Sequence, residues 1–547
     1  MTEFIIENIA PIMFISLIVL LLLGYPVSFS LAACGIGYGL IGISLGLVEP
    51  VFFQNLPKNM FGIMKNENLL AIPFFTFMGL ILERSGMAED LLDTVGQLFG
   101  PVRGGLAFAV VIVGALLAAT TGIVAASVIA MGLISLPIML RYGYDRRVAS
   151  GVIAASGTLA QIIPPSLVLI IMADQLGRSV GDMYTGAFIP GFVLMAMYLG
   201  YVGFIAMRYP KALPALPLEA RTLGGGVTSL LLCVAVSSVP AVILIRSGVN
   251  PWLAVAPSII LAYTVAQVDK VLKFGLLSHL AQQVIIVLMP PLALIFLVLG
   301  TIFIGMATPI EGGAMGAVGA LILALGKRRL TFDLLRQALE ATTKLSAFVM
   351  FILLGSRVFS ATFYFVNGHK WVEGLLLGLP GGPIGFLIVV SLLVFVLAFF
   401  LDFFELAFII IPLLAPVATK LNIDLVWFGI LLSVNLQTSF MHPPFGFALF
   451  YLRSVAPQTS YLDKITNREI QPITTGQIYW GVVPFIAIQI VMVGLTITFP
   501  QMVMHYKSSE VVIDPDKVEI HVPPPSSGGG MPNFGTPPDF GAQPNFN

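Results

Sequence analysis

The stretch that decides the fold runs from residue 104 to residue 140: GGLAFAVVIVGALLAATTGIVAASVIAMGLISLPIML. It holds no charged residue, so its surroundings are lipid or protein rather than water. As a single helix at 1.5 Å per residue it would reach about 55 Å, nearly twice the roughly 30 Å hydrocarbon layer of a bilayer. The block must therefore fold back on itself. Its middle, Ala119-Thr120-Thr121-Gly122-Ile123, supplies small and hydroxyl residues suited to a bend. Both ends are basic, with Arg103 before and Arg141, Arg146 and Arg147 after. Two ends on one side of a membrane make a re-entrant helical hairpin.

Residues 385–419 repeat the design, with Leu401-Asp402-Phe403-Phe404-Glu405 in the middle. After each hairpin comes an apolar stretch, 145–174 and 424–452, interrupted by polar residues and by Pro164-Pro165 or Pro443-Pro444. Proline removes a backbone donor, and broken backbone at membrane depth is tolerated only where protein or a wet cavity satisfies it. A shift of 279 places Pro137 on Pro416, Asp145 on Asp424, Pro164-Pro165 on Pro443-Pro444, and the tip 122–127 over 401–406. A second echo, Gly24-Tyr25-Pro26 against Ala307-Thr308-Pro309, lies at an offset of 283. Identity elsewhere is near chance, so the repeat is carried by punctuation. Paired interrupted segments in corresponding halves point to a transporter with its site at the repeat interface.

The rest of the chain fits this frame. Of 547 residues, 58% are hydrophobic and only 10% charged, with a mean hydropathy of +0.98; soluble domains carry roughly 25% charge. Further spans are expected near 10–24, 27–47, 68–83, 182–207, 227–246, 250–267, 282–305, 309–326, 345–366 and 478–503. The organisation is a first repeat (1–208), a linker (209–280) carrying two inserted spans (227–267), a second repeat (281–504) and a Pro/Gly-rich tail (505–547), expected to be disordered. The N-terminus lacks the basic region of a cleavable signal and is expected to remain as a membrane helix. Charged segments Ala88–Phe99 and Thr331–Lys344 read as helices lying along the cytoplasmic interface.

With the N-terminus outside and two crossings per hairpin, eighteen Lys and Arg fall inside and eight outside, with Arg357 within a helix, which accounts for all 27. The positive-inside rule then fixes the orientation: both termini are expected on the periplasmic side, the first hairpin entering from the cytoplasm and the second from the periplasm.

The 27 basic and 27 acidic residues cancel, which leaves no electrostatic case for nucleic acid. No GxxxxGK[ST] loop is present, so ATP is not the energy source. Cys34 and Cys233 sit in apolar runs as core thiols, with no metal-spaced His/Cys set. An intramembrane enzyme has no motif in its favour.

Ionisable groups inside a membrane are costly and mark functional sites. Asp402 and Glu405 at the second tip suit a hard cation such as sodium; alternatively they take a proton or cap a helix that starts at Phe403. In the first tip Thr120, Thr121 and Ser127, with Gly122 at the bend, offer hydroxyl and carbonyl oxygens. Hydroxyls in helices also simply bond back to the preceding turn. Before the double prolines, Ser156-Gly157-Thr158-Leu159-Ala160-Gln161 and Asn435-Leu436-Gln437-Thr438-Ser439 provide carbonyls for a cation and donors for an anion, or polar packing between helices. His442 could donate to substrate or relay protons. Arg357 reads as a snorkelling or acid-paired structural residue, and Glu311 as a first-turn carboxylate.

The strings LLAIPFFTFMGLILERSGM (69–87), GTLAQIIPPSLVLII (157–171), TPIEGGAMGAVGALIL (308–323) and VNLQTSFMHPPFGFALF (434–450) carry a resemblance. Together they resemble the DctM-like large membrane subunit of tripartite ATP-independent periplasmic (TRAP) transporters, and within it the branch labelled mannitol/chloroaromatic compound type. The likeness covers most of residues 10–504. It implies an all-α polytopic membrane protein, an inverted-repeat, elevator-type transporter of the ion transporter superfamily with two re-entrant hairpins and two broken helices. It also implies a periplasmic substrate-binding protein that delivers an organic acid, a small membrane subunit in the lipid bilayer, and inward sodium flow as the drive, in a bacterial inner membrane.

Carried onto this sequence, sodium would be held by Thr120, Thr121, Gly122, Ser156, Gly157, Thr158, Asp402, Glu405, Gln437 and Thr438. A small carboxylate would be held by Gln161, Ser166, Asn435, Ser439 and His442. The first tip, TTGIVAAS, is poorer in serine than in many members. The inserted spans and the tail also depart from the pattern. A stand-alone ion-coupled carrier or antiporter of the same superfamily is the alternative.

Overall fold

The computed structural model describes residues 2–399, 401–463 and 465–507, without the side chains of Thr2 and Thr121. Most of the tail expected to be disordered, residues 508–547, lies outside the described residues, as does Lys464 of the inside charge count.

The first repeat comprises α1 (Thr2–Leu22), α2 (Val27–Ser44), α3 (Val51–Met64), α4 (Ala71–Arg84), α5 (Met87–Phe99), α6 (Gly105–Thr121), α7 (Val124–Arg141), α8 (Arg146–Thr158), α9 (Leu167–Leu176) and α10 (Val180–Arg208). Next come α11 (Val227–Arg246) and α12 (Pro251–Leu272). The second repeat comprises α13 (His279–Phe303), α14 (Pro309–Gly326), α15 (Phe332–Phe365), α16 (Gly368–Leu377), α17 (Gly382–Leu397), α18 (Phe403–Lys420), α19 (Leu425–Leu436) and α20 (Phe447–Val455). It closes with a two-stranded antiparallel ribbon, β1 (Tyr461–Leu462) and β2 (Glu469–Ile470), then α21 (Thr475–Thr498) and α22 (Gln501–Met504). Among the described residues, 11 helices are long and apolar enough to cross a membrane. The chain is an all-α polytopic membrane protein.

The apolar 104–140 block does fold back. Gly122 sits at φ +60, a left-handed conformation that disfavours a side chain, and its N–H closes α6 on the carbonyl of Ala118. The chain turns at Gly122-Ile123 into α7, which packs on α6. The second hairpin turns between Leu397 and Phe403.

Several elements of the two halves correspond at a fixed offset. α7 and α18 are both 18 residues long, and both their starts and their ends are 279 residues apart. Asp145 caps α8 by accepting from the N–H groups of Arg147 and Val148; Asp424 caps α19 through Val426 and Trp427, the same positions shifted by 279. An N-cap carboxylate of this kind supplies about 1 kcal/mol. α8 ends in a 3-10 turn at Leu159–Gln161 and α19 in one at Gln437–Phe440, and each is followed by a proline pair joined in cis. α2 and α14, also equal at 18 residues, start 282 apart.

Four elements differ from expectation. Thr331–Lys344 is not a separate interfacial helix: it is the first part of α15, whose 34 residues form one helix about 51 Å long. α3 and α16, short helices with a polar and an apolar face, were not anticipated, nor was the small ribbon.

Two packing features hold the broken elements in place. α8 and α21 approach so closely that a Cβ on Gly151 would lie 2.0 Å from the carbonyl oxygen of Gly481, the small-residue contact typical of membrane helices. In α18, Pro412 has no N–H for the carbonyl of Phe408, one turn earlier. Ser356 of α15 donates its hydroxyl to that oxygen at 2.5 Å and so satisfies it from outside the helix.

Candidate functional site

The two breaks meet where the end of α8 touches the start of the second 3-10 turn. Gln437 Nε2 donates to Thr158 Oγ1 at 3.3 Å, and these residues are 279 apart, equivalent positions of the two repeats. A residue touches its own symmetry mate only near a two-fold axis, so the breaks meet on the pseudo-two-fold of the fold. Both side chains are fully buried.

Around this junction most hydroxyls give their proton to a backbone carbonyl of their own turn. Thr158 donates to Ala155, Ser156 to Val152, Thr438 to Asn435, Ser439 to Leu436, Thr120 to Leu117 and Ser166 to Gln161, at 2.6 to 2.9 Å. Bonding back, the plain structural role open to them from the sequence, is therefore filled in each case. It leaves oxygen lone pairs as the outward-facing chemistry. Two amide oxygens, Gln437 Oε1 and Gln161 Oε1, are buried and meet no donor among the described residues. Such orphaned acceptors cost about 1–3 kcal/mol each unless something positive or protic engages them.

The first tip closes on the first break. A Cβ on Gly122 would touch the Pro165 carbonyl and the Leu167 side chain, both at 3.5 Å, and one on Gly157 would lie 2.3 Å from Val128 of α7. The side chain of Thr121 lies outside the described residues.

Asp402 and Glu405 form a reciprocal capping box at the start of α18. Asp402 Oδ1 accepts from the Glu405 N–H at 2.8 Å and Glu405 Oε2 from the Asp402 N–H at 2.9 Å. This is the helix-capping alternative that the sequence left open. It uses one oxygen of each carboxylate. Glu311 does the same at α14, in a capping box with Thr308.

Asn435 Nδ2 donates to the Ser391 carbonyl of α17 at 2.7 Å, tying the second break to the second hairpin. His442, 1% exposed, stacks on Phe399 at 4.2 Å and meets Phe395 edge-on at 4.4 Å. Among the described residues its ring nitrogens meet no side-chain partner, and the nearest backbone partner is Ala398.

Two residues of this region escape sequence reasoning. Tyr198 of α10 is fully buried, accepts from Gln489 Nε2 of α21 at 2.9 Å and is in hydrogen-bond contact with Thr158. The chain Gln489–Tyr198–Thr158–Gln437 thus joins α21, α10 and both breaks. Gln489 is an uncharged amide in an otherwise apolar span, a signal that a search for ionisable groups passes over. Arg357 is exposed, lines a cleft shared with Asp174, whose carboxylate it influences electrostatically, and takes part in none of the five ion pairs among the described residues.

Outside the spans, Arg141 at the end of α7 bonds Asp463 in the ribbon at 2.9 Å. Burial pushes the Asp463 carboxyl up, but hydrogen bonds from Thr466 and the Arg141 guanidinium outweigh it and hold the group at about 2. Lys327 and Arg329 both reach Asp90 of α5, at 2.8 and 3.1 Å.

Residues 14–502 match the family described as "Tripartite ATP-independent periplasmic transporter, DctM component". The chain is 28% identical over 419 residues to the C4-dicarboxylate TRAP transporter large permease protein of Pseudomonas aeruginosa, covering 76% of this chain and 84% of that one. It is 29% identical over 462 residues to the protein of the same description in Rhodobacter capsulatus, covering 81% and 89%. A sialic acid TRAP transporter large permease protein of Vibrio cholerae is 23% identical over 483 residues, covering 88% and 94%. These proteins are transporter permease subunits rather than enzymes. With the repeated hairpins and breaks already established, the match over nearly the whole membrane region makes this chain a member of the DctM family, the large membrane subunit of TRAP transporters.

Proposed function

We propose that this subunit imports a small carboxylate across a bacterial inner membrane, driven by sodium, by moving its hairpins and breaks as one body against a fixed scaffold. The observation that carries the reading is the junction of the two breaks. The two breaks that meet there carry uncharged oxygens: Gln437 Oε1 and Gln161 Oε1, which meet no donor among the described residues, and hydroxyls whose protons go to backbone carbonyls. A buried set of neutral acceptors lacking a positive partner suits a hard cation, for which oxygen is the preferred ligand. In this reading Thr158, held by Tyr198, orients Gln437, and the carboxylate sits beside the cation against Gln161 Nε2 and a His442 ring N–H, while Asn435, Ser439 and Ser166 turn to it only by releasing the carbonyls to which they now donate.

The cargo class draws on the relatives, whose names carry a C4-dicarboxylate or a sialic acid, both carboxylates. Membership of the family implies a small membrane subunit and a periplasmic binding protein as partners. The orientation rests on the 18 to 8 division of basic residues over the whole chain. It is supported by the ion pairs: Lys327 and Arg329 with Asp90, and Arg141 with Asp463, join loops assigned to the same side.

Uptake into proteoliposomes tests the reading. Accumulation should need both a sodium gradient and the cognate binding protein. Uptake of free substrate without either would sink it in favour of a stand-alone carrier.

A further inference from the structure

A cleft of about 980 Å³ opens in the seam between α3, α15 and α16 on one side and α18 on the other. A second, of about 380 Å³, reaches Asp174 at the end of α9, and Gly62, Arg357, Ser360 and Pro412 line both. Volumes of this size suit small ligands.

The charges in the seam are not equally engaged. Glu373 accepts from Lys420 at 2.6 Å. Asp174 accepts from Asn66 and from Gln175, at 2.5 and 2.9 Å. Arg357 and Lys58 are exposed and belong to none of the ion pairs among the described residues, although Arg357 acts on Asp174 electrostatically across the seam. Arg357 lies in the long helix α15, eight residues before its end, or about 12 Å along the axis. A guanidinium at such a depth is tolerable only when paired or facing water, and the cleft provides the water. Its planar fork matches a carboxylate through two parallel hydrogen bonds.

The seam also leads inward. α9 starts at Leu167, which packs against the first tip, and Asp174 is seven residues further on, about 10 Å along the axis. Lys58, Lys420 and the end of α9 lie on the side that the charge distribution assigns outside.

We infer that Arg357 and Lys58 form an outer anion site, distinct from the junction of the breaks, that holds a small carboxylate before it moves inward along α9. The inference rests on the reading of the chain as a carboxylate importer. The Asp174 and Glu373 carboxylates, engaged by other donors, keep the site from being so positive that it would retain its ligand.

The test uses the full chain in nanodiscs of uncharged lipid, in potassium buffer, with succinate as the probe. Phenylglyoxal, an arginine reagent, is applied and modification of Arg357 is followed by mass spectrometry, the other arginines serving as internal controls. Arg357 should react readily, and succinate at about ten times its Kd should slow the reaction roughly tenfold by simple occupancy, while uncharged succinamide should not. An unreactive Arg357, a rate indifferent to succinate, or protection seen only in sodium would overturn the outer site. Slowing by added phosphatidylglycerol without slowing by succinate would also overturn it, in favour of a lipid headgroup.

A second measurement reads transport. Arg357→Gln should raise the KM for uptake roughly tenfold, as expected for one lost charge-assisted bond, with sodium-dependent stabilisation unchanged; an unchanged KM overturns the proposal. Failure of sodium-driven uptake in the wild type with succinate protection intact would instead refute the functional reading and leave the outer site standing.

Discussion

Replacing Gln437 by leucine separates the two jobs of this side chain. Its Nε2 donates to Thr158, and its Oε1 is buried with no donor. Leucine has a similar volume, so the loss to folding is one neutral hydrogen bond, about 1 kcal/mol, set against relief of an unsatisfied oxygen worth about 1–3 kcal/mol. The sodium-free protein should therefore melt at an unchanged or higher temperature. Loss of one cation ligand should cost about 1.5–3 kcal/mol, the scale of a hydrogen bond to a charged group. That is a roughly ten- to hundredfold weaker Kd for sodium. The assay is thermal unfolding of the purified protein at constant ionic strength, with sodium exchanged for potassium. At sodium near 100 times Kd the wild type should gain about 2.7 kcal/mol, and a variant with tenfold weaker affinity should gain about 1.4 kcal/mol and one with hundredfold weaker affinity about 0.4 kcal/mol. A variant with the full wild-type sodium shift refutes the assignment of Oε1 to the cation.

Three further outcomes are expected. Asp402→Asn keeps an oxygen to cap α18 and should fold normally while weakening the sodium dependence of uptake; unchanged sodium activation removes Asp402 from the ion site and leaves it as a cap. Gly151→Leu should abolish assembly of the membrane bundle, seen as loss of the monodisperse peak on size exclusion, because its Cβ would fall 2.0 Å from the Gly481 carbonyl oxygen. Asp463, held at about 2 in the folded protein against an ordinary value near 4, stabilises fully above about pH 4 and loses that contribution as pH falls to about 2. Asp463→Asn should thus be less stable than wild type at neutral pH by an amount that shrinks across this window, and a constant difference would count against the Arg141–Asp463–Thr466 arrangement.

The sequence disclosed the parts of the fold set by local chemistry and by bilayer thickness. An uncharged block too long to cross once had to turn, and Gly122 is where a left-handed residue permits the turn. The proline pairs and the Asp145 and Asp424 caps are likewise local, which is why the offset of 279 was readable from punctuation alone. What stayed hidden depends on neighbours distant in the chain. The cleft beside Arg357 is hidden from the sequence because two of its walls, α3 and α18, are far from α15 along the chain. Tyr198 and Gln489 sit in different repeats and become a pair only when α10 meets α21. The charge of Thr331–Lys344 marked a helix correctly but could not tell a separate surface helix from the first part of α15.

Sodium coupling itself is tested most directly by imposing equal gradients of sodium, potassium or protons on proteoliposomes holding the complete transporter, at fixed membrane voltage, and following accumulation of substrate. The sodium gradient alone should concentrate substrate above its external level, and dissipating it should release the excess. Accumulation driven by the proton gradient alone, or uptake that stops at equal concentrations whatever the ion, would contradict the account.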